Sequence, residues 1–381
     1  MIKRKKDLEK IQKLLEVFPV VAILGPRQCG KTTISKKIKF DHYFDLENPA
    51  HLASFDNSQF LLENLDGLVV IDEIQRKPDL FPLIRYLTDN LQKKFLILGS
   101  ASRELMRQSS ESLAGRIGYY YLSGFSLDDV GSSNLEKMWL RGSFPRSYLA
   151  KNEAESNLWR ENYISTFLER DIPQLGISIP ASTLRRFWTM LSHYHGQILN
   201  YSELGQSFGI SDVTVKKYLN ILESTFMVKV LSPWFSNVKK RLVKSPKLYL
   251  SDSGIFHSLL SIRDKKQLLE NPKLGASWEG FAIDCVSKVL GKRREELYFW
   301  STHSGAEIDL FWQNQGKSWG MEFKFADTVK LTKSMQIAIE DLNLAHLWVV
   351  YPGREKYKIR EDVTALPLEK LGGITQGLLR P

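Results

Sequence analysis

Gly25-Pro26-Arg27-Gln28-Cys29-Gly30-Lys31-Thr32 sits between an apolar run, Val20 to Leu24, and a stretch from Thr33 to Ile38 that can open a helix. This arrangement restricts the fold more than any other feature of the chain. A glycine at each end lets the loop close tightly enough for its backbone N–H groups to wrap an anion. The lysine reaches further anionic oxygens, and the hydroxyl suits a hard cation. The helix behind the loop adds its first-turn amides and the positive end of its dipole. Strand, loop and helix in this order predict a phosphate cradle made of Gly25, Pro26, Arg27, Gln28, Cys29, Gly30, Lys31, Thr32 and Thr33.

The surrounding pattern supplies the rest of such a site. Apolar runs of strand length recur at Val20 to Leu24, Leu68 to Ile71, Phe95 to Leu98 and Tyr119 to Leu122, with a weaker one at His42 to Leu46. Amphipathic stretches such as Pro82 to Leu91 alternate with them, which predicts a parallel sheet covered by helices. The Leu68 to Ile71 strand delivers Asp72 and Glu73 to the edge that carries the loop. Asp72 is expected to hold a magnesium shell and Glu73 to polarise the attacking water. The alternative for Glu73 is a salt-bridged structural acid. After the Phe95 to Leu98 strand, Gly99-Ser100-Ala101-Ser102-Arg103 puts small hydroxyls where a γ-phosphate sensor sits, and Ser100 is the candidate.

These strings resemble the AAA+ type of P-loop ATPase. That resemblance implies ATP and Mg2+ as cofactors and places the Ser100 strand between the strands bearing the loop and Asp72. More narrowly, GPRQCGKTT, VVIDEIQ, LILGSAS and SLAGRIGYYYLSGFS look like widespread prokaryotic ATPases that carry a C-terminal domain of unknown function. The resemblance covers nearly the whole chain. It implies that Arg116 is an arginine finger, and a finger supplied by a neighbouring copy implies a homo-oligomer. The other reading of Arg116 is a pairing with a local carboxylate or carbonyl. Arg141-Gly142-Ser143-Phe144-Pro145 matches a family motif whose chemistry the residues alone do not supply.

With 381 residues the chain has room for several domains. The apolar tract after Met1-Ile2-Lys3-Arg4 is broken by Glu9, Lys10, Gln12 and Lys13, so no export signal or membrane span is expected. Two cysteines, Cys29 and Cys285, make no disulfide framework, and a reducing cytoplasm is the expected compartment. Lys plus Arg exceed Asp plus Glu by 53 to 43, a net charge of +10 that favours polyanionic partners or, more simply, a solvated basic surface.

Longer helical periodicity begins beyond Gly131-Ser132-Ser133-Asn134, at Leu158 to Asp171 and Leu184 to His193. Tyr201 to Ser211 and Asp212 to Glu223 read as two helices about a glycine turn, with Leu204, Phe208, Ile210, Val213, Val215, Leu219 and Leu222 apolar. Ser211 or Asp212 is expected to cap the second helix, exposing Lys216 and Lys217. Runs at Phe226 to Leu231 and Lys247 to Leu250 flank the basic Lys239, Lys240 and Arg241, as in a winged helix with a basic wing. These cations are expected to bind DNA, or else to be solvated charges on a lid that serves assembly.

In the C-terminal third, a helix from Leu274 carries Glu279, and strand-like runs carry Asp309 and Glu322-Phe323-Lys324. Alternation puts Glu322 and Lys324 on one face, where an adjacent strand can bring Asp309. Asp309 and Glu322 then form a hard-oxygen site for magnesium, with Lys324 positioning a water. With Glu279 and Gln336, this order resembles the PD-(D/E)XK nuclease fold. The family's Pro-Asp pair is absent, since Ile308 precedes Asp309, and many relatives do not cut.

The expected fold class is therefore α/β, an AAA+ type P-loop NTPase with a parallel sheet over 1–135. It continues as a helical linker or lid (136–182), a winged-helix domain (183–255) and a restriction-endonuclease-like α/β domain (256–381). The expected activity is ATP hydrolysis coupled to DNA. The alternatives are an ATP-controlled regulatory switch and a defence-related nuclease gated by ATP.

Overall fold

The computed structural model of the chain describes residues 2–100, 111–235 and 243–371. They divide into two compact units, one of 1–125 with 144–146 and 224–226, the other of the remaining residues.

The first unit is built on a five-stranded sheet of order β2-β3-β4-β1-β5. Its strands are β1 (Val20–Leu24), β2 (His42–Asp45), β3 (Leu68–Asp72), β4 (Lys94–Gly99) and β5 (Ile117–Tyr121), and every pairing is parallel. The β-branched and aliphatic residues of β1 are buried throughout, as in a sheet covered on both faces. The helix Leu80–Leu91 closes one face by burying Leu80, Phe81, Ile84 and Leu87 at helical spacing. Register aligns Leu24 of β1 with Gly99 of β4, so the residues following β1, β3 and β4 gather at one edge. β4 lies between β1 and β3, as the resemblance implies.

The second unit carries a nine-stranded sheet of order β13-β14-β12-β11-β10-β9-β7-β8-β6. These strands are β6 (Gln197–Ile198), β7 (Val228–Pro233), β8 (Lys247–Leu250), β9 (Tyr298–Ser301), β10 (Glu307–Asn314), β11 (Lys317–Phe323), β12 (Leu344–Tyr351), β13 (Tyr357–Arg360) and β14 (Val363–Pro367). β7 pairs antiparallel with β8 and parallel with β9, through Ser232↔Tyr298 and Pro233↔Phe299. The strands after the two-helix segment thus run into the C-terminal sheet, across the boundary expected at 255. The helical stretch expected from Leu158 to Asp171 is the helix Glu153–Thr166 followed by a π-helical turn, Phe167–Asp171.

The helices Tyr201–Phe208 and Asp212–Ser224 meet at a turn in which Gly209 adopts φ 71°. Gly205 is required by close approach, because a Cβ there would lie 2.7 Å from the Ile210 carbonyl oxygen. Ser211 caps the second helix by accepting the Thr214 N–H at 3.2 Å. Val213 departs from its expected core position: it is 77% exposed, and Val215, Leu219, Ile221 and Leu222 are the buried positions of that helix. In the first turn of a helix, only the stripe continued by later turns meets the core.

The first three residues of the Arg141 motif, Arg141, Gly142 and Ser143, have a structural account within this unit. Gly142 has φ 80°, and a Cβ there would come within 2.2 Å of Asp252 Oδ1. Asp252 accepts the Ser143 N–H at 2.6 Å and caps the helix Ser253–Leu259 through the Ile255 N–H at 2.9 Å. Arg141 pairs with Glu153 at 2.7 Å, while its carbonyl accepts the Ser147 hydroxyl at 2.6 Å and buried Arg160 at 3.3 Å. Among the described residues, no helix is long and apolar enough to cross a membrane.

Candidate nucleotide site and the C-terminal carboxylate cluster

The loop after β1 folds back upon itself. Lys31 is buried, and its ammonium donates to the carbonyls of Gly25 and Pro26, each at 3.0 Å. Gly30 caps the helix Lys31–Ser35 at φ 103°, a left-handed conformation that a side chain resists. At Gly25 a Cβ would lie 2.0 Å from the Leu122 carbonyl oxygen, so both glycines are dictated by space or torsion. Gln28 also has positive φ, at 61°. Cys29 is fully buried, and burial pushes its thiol up, away from reactivity. Arg27 pairs with Glu47 at 2.8 Å, and Thr33 is exposed at the start of the helix.

Three strands contribute to one cluster at this edge. Thr32 Oγ1 donates to Asp72 Oδ2 at 2.7 Å, and the Tyr43 hydroxyl donates to the same oxygen at 2.6 Å. Asp72 Oδ1 accepts the Glu73 N–H at 2.9 Å. Glu73 itself adopts φ 57°, a strained conformation for a residue with a Cβ. Gln75 donates to Glu73 and, at 3.1 Å, to Ser100 Oγ, linking the two. Burial pushes the Glu73 carboxyl up, with the Lys31 ammonium opposing it. A hydroxyl and a carboxylate converging on one point, beside a lysine and the N-terminus of a helix, fit a magnesium-bound polyphosphate.

Arg116 is not part of this group. It precedes β5, whose register sets Ile117 beside Val20, so it lies at the edge opposite the loop that follows Leu24. There it pairs with Asp89 at 2.5 Å and donates to the Ala114 carbonyl at 2.8 Å.

In the second unit, four of the five residues expected at a nuclease site come together. Lys324 pairs with Glu322 at 2.7 Å, and Asp309 Oδ2 accepts the Phe323 N–H at 3.0 Å. Glu279 reaches the same group from the helix Leu274–Leu290 through Lys247, whose ammonium lies 3.2 Å from Glu279 Oε1 and 3.1 Å from Asp309 Oδ1. Lys247 also pairs with Glu307, and the Tyr249 hydroxyl donates to Glu279. Gln336 is exposed on the helix Lys333–Leu342 and takes no part in these described pairs. Burial, then the nearby Asp309 charge, holds the Glu279 and Glu322 carboxyls well above the usual range. Burial works against the charge on Lys247, but Tyr249 and the surrounding carboxylates raise its pKa well above the ordinary lysine value.

Lys216 and Lys217 are exposed on the helix Asp212–Ser224, with the Lys216 ammonium 5.0 Å from the Tyr201 ring centre. Lys239, Lys240 and Arg241 lie outside the described residues.

Comparison with known proteins bears on these sites. Residues 17–130 match the family model described as an AAA domain. Residues 132–266 and 274–371 match models described as domains of unknown function, DUF8612 and DUF4143. Over 376 residues the chain is 44% identical to the "Uncharacterized protein Rv2008c" of Mycobacterium tuberculosis, covering 97% of this chain and 85% of the relative. The chain belongs to the Rv2008c family. The Mycobacterium bovis member, Mb2031c, aligns with the same identity and coverage. Among solved structures, the Walker-type ATPase PABY2304 of Pyrococcus abyssi is 14% identical, with 68% of this chain and 96% of that chain covered and a TM-score of 0.44. The Bacillus subtilis DNA clamp loader delta protein is 12% identical over 57% of this chain and 88% of its own, with a TM-score of 0.25. The assignment rests on the family models and the close relatives rather than on these two likenesses.

This member of the Rv2008c family therefore carries an AAA-type P-loop domain, which implies a nucleotide and usually Mg2+. Sequence reasoning missed six residues around the two clusters: Arg4, Tyr43, Gln75, Lys247, Tyr249 and Glu307. Arg4 donates to the Cys29 carbonyl and to those of Ser123 and Gly124, tying the loop to the segment after β5. None of the six had a signal that separates it from a solvated residue: Lys247 opens a strand-like run, but so do Lys94 and Lys317, which are exposed.

Proposed function

We propose that the chain hydrolyses MgATP at the Lys31, Thr32, Asp72 and Glu73 cluster and couples turnover to DNA. The observation that carries the ATPase reading is the convergence at one sheet edge of Thr32, Asp72, Glu73 and Ser100, from the ends of three strands. MgATP supplies the phosphoanhydride and the divalent charge. Lys31 leaves the Gly25 and Pro26 carbonyls to neutralise phosphate oxygens, and the backbone N–H groups of the loop, Pro26 having none, wrap them. Thr32 and Asp72 hold the cation's oxygen shell. Glu73 orients the attacking water and draws its proton, and Ser100, linked to Glu73 by Gln75, responds to the terminal phosphate. Arg116, remote from its own loop, serves as a finger to a neighbouring copy in a homo-oligomer.

DNA contact is assigned to a winged helix with exposed Lys216 and Lys217 and a wing of Lys239, Lys240 and Arg241, supported by the net charge of +10. The C-terminal unit has two readings, a nuclease site in which Asp309 and Glu322 hold magnesium, and a non-cutting relative of that fold. The ion pairs around Lys247 favour the second.

The deciding measurement is steady-state ATP turnover of the full chain, with and without linear, single-stranded and branched DNA. Turnover that DNA stimulates and that Glu73→Gln removes is expected. Turnover indifferent to every DNA supports an ATP-controlled switch acting through protein contacts, and no turnover at all overturns the ATPase reading.

A further inference from the structure

We propose that Lys247 is the resident cation of the C-terminal unit, its ammonium standing where a divalent metal would bind among Glu279, Glu307 and Asp309, so that this nuclease-like unit as folded neither takes a divalent ion nor cuts DNA.

The donor set argues this oxygen by oxygen. A magnesium or manganese ion requires about six oxygen ligands at short range. Both Asp309 oxygens already accept hydrogen bonds, Oδ1 from the Lys247 ammonium and Oδ2 from the Phe323 N–H, so a divalent ion would have to compete with that ammonium for the carboxylate. Glu279 Oε1 is shared between the Lys247 ammonium and the Tyr249 hydroxyl. Glu307 pairs with the same ammonium, and Glu322 Oε1 pairs with Lys324. Glu322 Oε2 is left buried without a partner, but a divalent ion there would still have to sit against the Lys247 ammonium to reach Glu279, Glu307 and Asp309. The Lys247 side chain is 3% exposed and lies 5.6 Å from the Phe299 ring centre, so its ammonium is held inside the unit. A divalent ion entering here would meet a positive charge at contact distance, which repels it.

The arrangement explains why four carboxylates are tolerated close together in a largely buried place. Two ammonium groups, of Lys247 and Lys324, lie among Glu279, Glu307, Asp309 and Glu322. The Lys247 nitrogen by itself joins β8 to β10, through Glu307 and Asp309, and to the helix Leu274–Leu290, through Glu279. The lysine thus does for this unit what a metal does elsewhere, and it does so without ligand exchange.

The experiment titrates Mn2+ against nucleotide-free full-length protein, following free Mn2+ by electron paramagnetic resonance, for the wild type, Asp309→Asn, Glu279→Gln, Lys247→Met and the double variant Lys247→Met/Asp309→Asn. Equal uptake by the wild type and both carboxamide variants is expected, since any Mn2+ at the P-loop is common to all. Lys247→Met should gain about one Mn2+ per chain, and the double variant should lose it. Wild-type uptake that Asp309→Asn and Glu279→Gln remove overturns the proposal, as does magnesium-dependent nicking of supercoiled plasmid that Asp309→Asn abolishes. A folded Lys247→Met that gains no Mn2+ also overturns it. Should that variant not fold, the comparison of wild type with the two carboxamide variants decides the question alone.

Discussion

The Tyr43 hydroxyl donates to Asp72 Oδ2 at 2.6 Å, onto the oxygen that also accepts from Thr32 Oγ1. Burial, reinforced by Asp72, raises the phenol's pKa, so Tyr43 stays a donor at every working pH. It orients the carboxylate. A hydrogen bond to a charged acceptor contributes about 1.5–3 kcal/mol. Tyr43→Phe keeps the ring against Phe40 and should raise the Mg2+ concentration for half-maximal ATP turnover about tenfold, with the nucleotide affinity measured in EDTA unchanged. An unaltered Mg2+ requirement would remove Tyr43 from the site.

Lys31 and Glu73 should separate binding from chemistry. Lys31→Ala loses the only lysine in the loop and should weaken ATP binding roughly a hundredfold or more. Glu73→Gln keeps the size and the hydrogen bonding of the group but not its ability to take a proton, so affinity should hold while turnover falls by orders of magnitude. Equilibrium nucleotide binding and steady-state rates on the same preparations check both. Near-normal turnover in Glu73→Gln would reduce that residue to a structural acid.

Arg116 sits opposite its own loop and pairs with Asp89. A finger acting between copies makes the ATPase rate rise faster than linearly with protein concentration. Mixing Arg116→Ala with Glu73→Gln protein should restore part of the activity, because each contributes the half-site the other lacks. A rate per chain that is constant with concentration, with no complementation, would leave Arg116 as a local tether of Asp89 and the Ala114 carbonyl.

The charge on the two-helix segment makes a salt prediction. Alanine at Lys239, Lys240 and Arg241 should weaken DNA binding about equally for all sequences and flatten the dependence of log affinity on log salt by roughly 0.9 per lost phosphate contact. Lys216→Ala/Lys217→Ala should act in the same direction. Fluorescence anisotropy at several salt concentrations reads the slope, and an unchanged slope assigns these cations to solvent or to protein contacts.

His257 is fully buried between the Leu140 carbonyl at 3.0 Å and the Ser277 hydroxyl at 2.7 Å, and burial lowers its pKa to about 4. The unfolded chain binds a proton near pH 6.5, where the folded protein does not. Its contribution is therefore complete above pH 6.5 and is lost as pH falls toward 4, about 2 kcal/mol of it by pH 5. His257→Gln removes that linkage. Between pH 7.5 and 5, the denaturant stability of the second unit should fall further in the wild type than in the variant, by about that amount. Equal losses would place a protonated histidine in the folded core.

The loop, its strand and the Asp72-Glu73 pair were legible in the sequence because each depends on neighbours along the chain. Glycine torsions, β-branched runs and a carboxylate at a strand's end are local properties, and β1 falls on Val20–Leu24 as its residues predict. The same locality explains the helix Tyr201–Phe208 with its Asn200 cap and the Ser211 cap of the helix after it. Glu279, Asp309, Glu322 and Lys324 were legible as a set, since strand alternation and a known order of elements bring them near one another.

Tertiary structure alone decided the rest. Tyr43 joins Asp72 because β2 pairs with β3, a partnership between segments that no local pattern encodes. Arg116 is remote from its own phosphate loop because parallel register sets Ile117 against Val20. Lys247 meets Asp309, 62 positions later in the chain, because β7 carries its hairpin onto β9. A charged side chain does not announce its partner in sequence: Coulomb attraction acts through space. Whether four carboxylates await a metal or are already answered by a lysine is decided only when the sheet brings β8 alongside.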